Sequence, residues 1–349
     1  MDSKGRIVVS KIVREELGLS EGAWGVMEVY GKNEGKILLT VTDKGETKGE
    51  IDVEQKYGGI EKGYPNIRKH FGKIATYLQL VRPFTLISPL LAGLLGVLAS
   101  TSAFNFDVLK TCIYVGVTLT LAQATGQVIN QYADVDLDRI VKPYRPLPSG
   151  VVTKEEALGL AWLMAIISIA RAFTVTELFG LVTVVLIFFA VFYSLSPFSP
   201  RKVHPVLNVL WMSISRGLIP VFAVWSIYGT WQGALPYALL AFVWVLGFQS
   251  TKDVEDIEGD RKFGVKTIFS SYGYVGLRVL MIACSGAYIA IAAIFNKPLM
   301  LLLAVVAGFA IASVKNKSRF TENNYGWTAF YLGLGLIFVL MFLSSRLGF

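Results

Sequence analysis

The 349-residue sequence predicts an all-α membrane bundle of nine transmembrane helices, preceded by a small amino-terminal β-rich domain. Three observations predict it. Apolar residues make up 54% of the chain and charged residues 17%, a balance too apolar for a water-soluble domain. The apolar residues fall in blocks of about 20, the length an α-helix needs to cross a bilayer. The first 72 residues break this pattern, being polar and Gly-punctuated with 12 of the 33 Lys/Arg and 12 of the 25 Asp/Glu. The net charge of +8 therefore belongs to the apolar part.

Residues 2–41 read as a short strand, a short helix ending at Gly18 and two alternating stretches around a Gly-containing turn. The run from Asp2 to Val9, followed by Arg14-Glu15-Glu16-Leu17-Gly18-Leu19, resembles the AbrB/SpoVT family of swapped-hairpin domains, over about 40 residues. The resemblance implies a homodimer formed through residues 1–45. Ser10 stands where that family usually has a proline, and the balanced charge lacks a basic stripe, which argues against DNA as a partner. Residues 46–74, rich in Lys, Glu and Gly, read as a linker, and 75–349 as the membrane domain.

The nine expected spans are 77–101, 109–131, 155–173, 175–194, 205–228, 232–250, 273–295, 297–314 and 325–347. Their connections alternate in charge. Arg139, Lys142, Arg145 and Lys154 follow span two, Arg201 and Lys202 follow span four, Lys252, Arg261, Lys262 and Lys266 follow span six, and Lys315, Lys317 and Arg319 follow span eight. The intervening connections hold little more than Lys110, Arg171 and Lys297. The excess of positive charge on cytoplasmic loops then sets the amino terminus and the basic connections in the cytoplasm, and the carboxyl terminus outside. Cys112 and Cys284 fall within apolar spans and suggest neither a disulfide nor a metal site.

Chemistry is concentrated at two places. Gln123, Gln127, Asn130, Asp134 and Asp138 recur at steps of three and four, so they stack on one helical face. Gln249, Asp253, Asp256 and Asp260 repeat the pattern at span six. Carboxylates at a membrane boundary are costly unless solvated, paired or bound to a cation. A solvated helix end explains one such stripe; two with the same period on the same side point to a site. Hard oxygen donors in this arrangement suit Mg²⁺, which bridges carboxylates to phosphate oxygens. The basic runs that follow, with Lys142 and Arg145 after the first stripe and Arg261 and Lys266 after the second, suit a polyanion.

The run Asn130 to Asp138 with the following KPYRPLPSG, and the run Lys252 to Arg261 with the following FGVKT, are similar to the two signature motifs of the UbiA-type intramembrane prenyltransferases. The likeness covers about residues 75–347, with Arg82-Pro83 in the first span and a Tyr193, Pro197, Lys202 connection after the fourth. Two departures are Gln131, where many members have Asp, and Pro197, where some have Lys. The resemblance implies nine helices around a cavity, two Mg²⁺ ions, a prenyl diphosphate donor, a lipophilic or amphipathic acceptor and a lipid-accessible tunnel. It assigns Asn130, Asp134 and Asp138 to one metal, Asp256 and Asp260 to the other, and a supporting role to Asp253. Lys142, Arg145, Lys202, Arg261 and Arg82 hold diphosphate in that assignment. Tyr193 and Asn208 join the substrate-binding set, and Asn208 shares a helical face with Trp211 and Ser215 beside Arg216, as an acceptor wall or as helix packing. An aromatic quinone precursor, a tetrapyrrole ester and a prenylated glycerol phosphate all fit as acceptor. Other classes are a transporter, whose midplane polar residues leave the one-sided stripes unexplained, and a membrane-tethered DNA-binding regulator.

Overall fold

The structure is a computed structural model that describes residues 26–28, 38–43, 46–52, 64–142, 145–229, 231–254, 256–314 and 320–348. The chain divides into two units, Met1–Ala75 and Thr76–Phe349. In the first, β1 (Val26–Glu28), β2 (Leu38–Asp43) and β3 (Glu46–Asp52) form an antiparallel sheet in the order β1-β2-β3. Met27 pairs with Leu39, and Leu39 with Ile51. Strand β3 lies within 46–74, the stretch that reads as a linker. The strand and helix expected before Gly18, the swapped hairpin, and the dimer and DNA readings attached to them lie outside the described residues.

From Tyr64 onward the described chain is helical. Helix α1 spans Tyr64–Val81, α2 Ile87–Ser100, α3 Phe106–Ala133, α4 Val135–Val141, α5 Lys154–Phe173 and α6 Glu177–Phe192. They are followed by the one-turn α7 (Pro200–Val203), α8 (Pro205–Ser213), α9 (Ile219–Tyr228), α10 (Trp231–Phe248) and α11 (Ile257–Phe263). Last come α12 (Ile268–Ile294), α13 (Leu303–Ser313) and α14 (Phe320–Leu347).

Among the described residues, seven segments are long and apolar enough to cross a membrane: Pro83–Ser100, Phe106–Ala133, Lys154–Phe173, Pro205–Tyr228, Trp231–Val254, Ile268–Ile294 and Tyr325–Leu347. The other two expected spans correspond to shorter apolar helices, Glu177–Phe192 and Pro298–Ser313. The first span begins later than its hydropathy indicates. Arg82 takes left-handed backbone angles (φ 56°) ahead of Pro83, which ends α1 and starts a new helical segment. The expected span 273–295 begins at a kink instead of a terminus: α12 starts at Ile268, and Gly273 (φ 61°), in a backbone region closed to most side chains, bends it.

Local signals set the other ends. The Asn105 side chain accepts the Val108 N–H and starts α3; reciprocal capping boxes at Thr153/Glu156 and Thr267/Ser270 start α5 and α12. The helices close a ring, with α2 on α3 and α14, α3 on α5 and α6, α9 on α6 and α10, α10 on α12 and α14, and α13 on α12 and α14. Small residues line these contacts. Ala92, Ala122, Ala157, Ala161, Ala223, Ala238 and Ala241 are fully buried, which lets backbones approach closely where lipid offers little hydrophobic drive between helices. Outward positions are apolar as well, among them Leu163, Ile166, Val279, Ile282, Val305 and Phe309, so the outer face suits hydrocarbon.

Candidate active site

The first acidic stripe lies where α3 gives way to α4. Asp134 leaves helical geometry at this joint, yet its N–H still donates to the Asn130 carbonyl and its own carbonyl accepts from Asp138 N–H at 2.7 Å. Asn130, Asp134 and Asp138 therefore stay one turn apart through the change of helix. The second stripe repeats the device. Beyond α10 the chain tightens into a 3₁₀ turn from Gln249 to Val254, Asp256 immediately precedes α11, and the Asp260 N–H donates to the Asp256 carbonyl at 2.8 Å.

Each stripe meets cations. Both guanidinium ends of Arg201 donate to the two oxygens of Asp134 at 2.6 Å, the planar fork that suits a carboxylate. Arg145 donates to both oxygens of Asp138 at 2.8 and 3.0 Å, with only 6% and 2% of the two residues exposed. Lys252 lies 2.9 Å from Asp253. Lys142, after the first stripe, reaches Asp256 of the second at 2.6 Å, and α4 packs on α11. That bridge brings the two acid-bearing ends together. The Asp260 carboxyl lies within electrostatic range of Arg201, the partner of Asp134.

Burial, and then neighbouring charge, shifts these carboxyls. Burial, reinforced by the Asp253 and Asp256 carboxylates, pushes Asp260 up to about 8. Burial also raises Asp138, against the pull of Arg145 and Lys142. Burial would raise Asp256 too, but Lys142, its bridge partner, together with Lys252 and Arg145, holds that carboxyl below its usual range.

Asn130 uses both amide hydrogens, one on Asp134 at 2.8 Å and one on the Ser194 hydroxyl at 3.1 Å, which leaves its carbonyl oxygen as an acceptor. Tyr193 donates to the Asn208 carbonyl oxygen at 3.0 Å, and the Asn208 amide donates to the Lys266 carbonyl at 3.0 Å. The Lys266 N–H in turn donates to the Arg201 carbonyl at 2.7 Å. Asn208 is thus engaged at both ends and ties the segment after α11 to Tyr193 at the end of α6, while the Lys266 N–H ties that segment to α7.

The structure gathers Asn130, Asp134, Asp138, Lys142, Arg145, Asp253, Asp256 and Asp260, with Tyr193 and Asn208 bracing them. Lys202 and Arg261 are exposed, and Arg82 sits at the seam of α2 and α14, with its guanidinium 5.8 Å from the Trp327 ring centre. The inward cation of the α7 turn is Arg201, 4% exposed, which sequence reasoning passed over for its neighbour Lys202. Ser194 and Lys252 were missed as well. The signal for Lys252 was its place beside Asp253; Ser194 carried none.

All the candidate donors are hard oxygens: the Asn130 carbonyl and the carboxylates of Asp134, Asp138, Asp256 and Asp260. Among the described residues no three acidic, His or Cys groups stand close enough to cage an ion by themselves. Hard-oxygen donors of this kind fit Mg²⁺, which takes one or two carboxylates and completes its shell with water and phosphate oxygens.

The sequence pattern of the UbiA prenyltransferase family matches residues 86–345, which include both stripes. The chain belongs to this family. It is a UbiA-family prenyltransferase and, with its seven long apolar helices, an integral membrane protein. Relatives include the digeranylgeranylglyceryl phosphate synthase of Methanoregula boonei, 30% identical over 225 residues that cover 62% of this chain and 76% of that one. The protein of the same name from Methanocaldococcus jannaschii is 29% identical over 204 residues, 58% of this chain and 69% of that one. A UbiA homolog from Archaeoglobus fulgidus, in a structure bound to DMAPP and Mg²⁺, shares the fold with a TM-score of 0.61 at 22% identity, covering 78% of this chain and 99% of that one.

Proposed function

We propose that this UbiA-family enzyme transfers an isoprenoid group from a prenyl diphosphate to the free hydroxyl of a prenylated glycerol phosphate, releasing diphosphate, in a Mg²⁺-dependent reaction. The observation that carries the reading is the Lys142–Asp256 bridge, which joins the two acidic stripes into one site. The relatives named digeranylgeranylglyceryl phosphate synthase support the acceptor class. The homolog structure bound to DMAPP and Mg²⁺ supports donor and metal.

In this reading Asn130, Asp134 and Asp138 hold one ion and Asp256 and Asp260 the other, with Asp253 in support. Mg²⁺, when bound, supplies Lewis-acid stabilisation of the leaving diphosphate. Lys142, Arg145 and Arg201 turn to the diphosphate oxygens, with Lys202, Arg261 and Arg82 at the margins of the path. The allylic C–O bond breaks with its electron pair leaving on diphosphate; the acceptor oxygen forms the new C–O bond and gives up its proton to the departing diphosphate. The apolar helical wall keeps water from the allylic carbon. The bundle crosses the membrane nine times, the shorter α6 and α13 included, with the amino terminus and the site's connections cytoplasmic and the carboxyl terminus outside.

Incubating the purified protein in nanodiscs with geranylgeranyl diphosphate, Mg²⁺ and a panel of acceptors, with mass detection, tests the reading. The doubly prenylated glyceryl phosphate is the expected product. Transfer to an aromatic acid alone would replace the acceptor class, and no diphosphate release with any acceptor would remove the transferase reading.

A further inference from the structure

Arg216 lies inside the apolar span Pro205–Tyr228, and among the described residues no carboxylate pairs with it. Its Nη1 group donates to the Tyr331 hydroxyl at 2.9 Å and reaches the Gln249 carbonyl oxygen at 3.5 Å; both partners are neutral. An intramembrane cation without a counter-ion is expensive, and such groups mark binding or transport sites.

The backbone delivers it there. Between α8 and α9 the helix widens into a π turn, Ile214–Leu218, in which the Ile219 N–H donates to the Ile214 carbonyl. Pro220 has no N–H to give the Arg216 carbonyl four residues back, so the regular ladder fails at this position. π turns of this kind recur at functional sites. Gly217 brings the turn against α10: a Cβ there would stand 2.6 Å from the Ala241 carbonyl oxygen.

The three partners leave donors without acceptors. Arg216 keeps its Nε and Nη2 hydrogens, because only Nη1 is used. Gln249 offers its carbonyl oxygen to Arg216, while its Nε2 is buried with no partner in a residue 2% exposed. Tyr331, 8% exposed, accepts from Arg216, which frees its own O–H to donate. The unused hydrogens of a cation and of two neutral donors, all within apolar spans, complement an oxyanion with several lone pairs. The cluster adjoins the acidic site. Gln249 precedes Asp253 by four residues, and the Arg216 charge acts on the Tyr193 hydroxyl. Tyr331 also packs edge-on against Phe84 and Trp327, at 5.6 and 5.3 Å between ring centres, which gives the cluster an apolar flank.

We infer that Arg216, Gln249 and Tyr331 form a second anion subsite, separate from the metal-and-diphosphate site, that binds the phosphate of the acceptor. The inference rests on the proposed acceptor class and sharpens it: an acceptor must bring its own negative charge. The diphosphate-binding cations already face carboxylates, whereas Arg216 faces none, so the two anions sort to different places.

Dodecyl phosphate and dodecanol serve as probes, by calorimetry on the full chain in nanodiscs with Mg²⁺ and a non-reactive geranylgeranyl thiolodiphosphate bound. Wild type binds the phosphate in preference to the alcohol. Arg216→Gln weakens dodecyl phosphate about tenfold to a hundredfold, the loss expected for hydrogen bonds to a charged group, and leaves thiolodiphosphate affinity unchanged. Arg216→Lys restores part of it, and Tyr331→Phe, which removes one neutral donor, weakens the phosphate about threefold to tenfold. Equal binding of dodecyl phosphate to wild type and to correctly folded Arg216→Lys and Tyr331→Phe overturns the inference, as does a parallel loss of thiolodiphosphate binding. If the subsite behaves as stated while wild type fails to prenylate geranylgeranylglyceryl phosphate, the subsite stands and the acceptor assignment falls.

Discussion

At the scale of single residues, the cation of the α7 turn separates two readings that differ by one position. Arg201 is buried on Asp134, whereas Lys202 is exposed. Removing one member of a buried ion pair leaves the other charge uncompensated, at a cost of about 3–5 kcal/mol. Arg201→Ala is therefore expected to lower the thermal midpoint in detergent by several degrees, and Lys202→Ala to leave it unchanged; the reverse order would reject the inward assignment of Arg201. Two adjacent charges on a one-turn helix look alike in sequence, because which of them turns inward is set by Ser199, at φ 31°, and by the Lys266 N–H that grips the Arg201 carbonyl. The carboxylates were legible because steps of three and four need no tertiary information. Substituting Asp134 by Asn keeps shape but leaves buried Arg201 without its counter-charge, so the thermal midpoint should fall as it does for Arg201→Ala, and transfer measured below that midpoint should fall by about a hundredfold or more. Asp260 adds a pH dependence. Its carboxyl is protonated in the fold up to about 8 and ionised in the unfolded chain above the ordinary carboxylate range, so it destabilises the metal-free protein as pH rises through that window. A metal that uses Asp260 must displace this proton. Mg²⁺ affinity should then rise up to tenfold per pH unit below about 8 and level off above it, and Asp260→Asn should flatten the profile in calorimetric titrations.

At the scale of elements, hydropathy located the membrane helices but not their ends. It ran the first span back to 77, although Arg82-Pro83 breaks the chain there, and it began the seventh at Gly273, which is a kink inside α12. Apolar composition is continuous across both places, and only backbone geometry marks the break. The π turn was equally silent, since Pro220 alone does not say whether a helix will kink, end or widen. Its packing can be tested. Gly217→Val would drive a side chain into the α10 backbone at Ala241 and should cost about 1–3 kcal/mol. Gly286→Val in α12, where nothing lies within 4 Å of the added carbon, is the matched control and should leave the thermal midpoint within a degree or so. Equal destabilisation of the two variants would mean that Gly217 does not set the approach of α9 to α10.

At the scale of the whole molecule, the two stripes lie about 120 residues apart in sequence and meet because α3 and α10 both end on the same side of the bundle. An even number of crossings must separate those ends, and the alternation of basic and neutral connections requires the same. In the proposed threading the lysines and arginines that follow spans two and six do two jobs: Lys142 and Arg145 pair with the stripes, and the whole set keeps the site's connections on the cytoplasmic side. Labelling from opposite sides of the membrane is therefore expected. Ser149, exposed in the connection between α4 and α5, lies on the site's side, and Ser102, exposed between α2 and α3, lies on the other. Cys112 and Cys284 are 3% and 5% exposed, so the native chain gives a low background. Ser149→Cys should react with a membrane-impermeant maleimide in inverted vesicles and resist it in right-side-out ones, and Ser102→Cys should do the opposite. If Ser149→Cys reacts from outside, the orientation reverses but the two ends still share a side. If Ser149→Cys and Ser102→Cys react from the same side, the crossing count fails, and the threading that brings Lys142 to Asp256 fails with it.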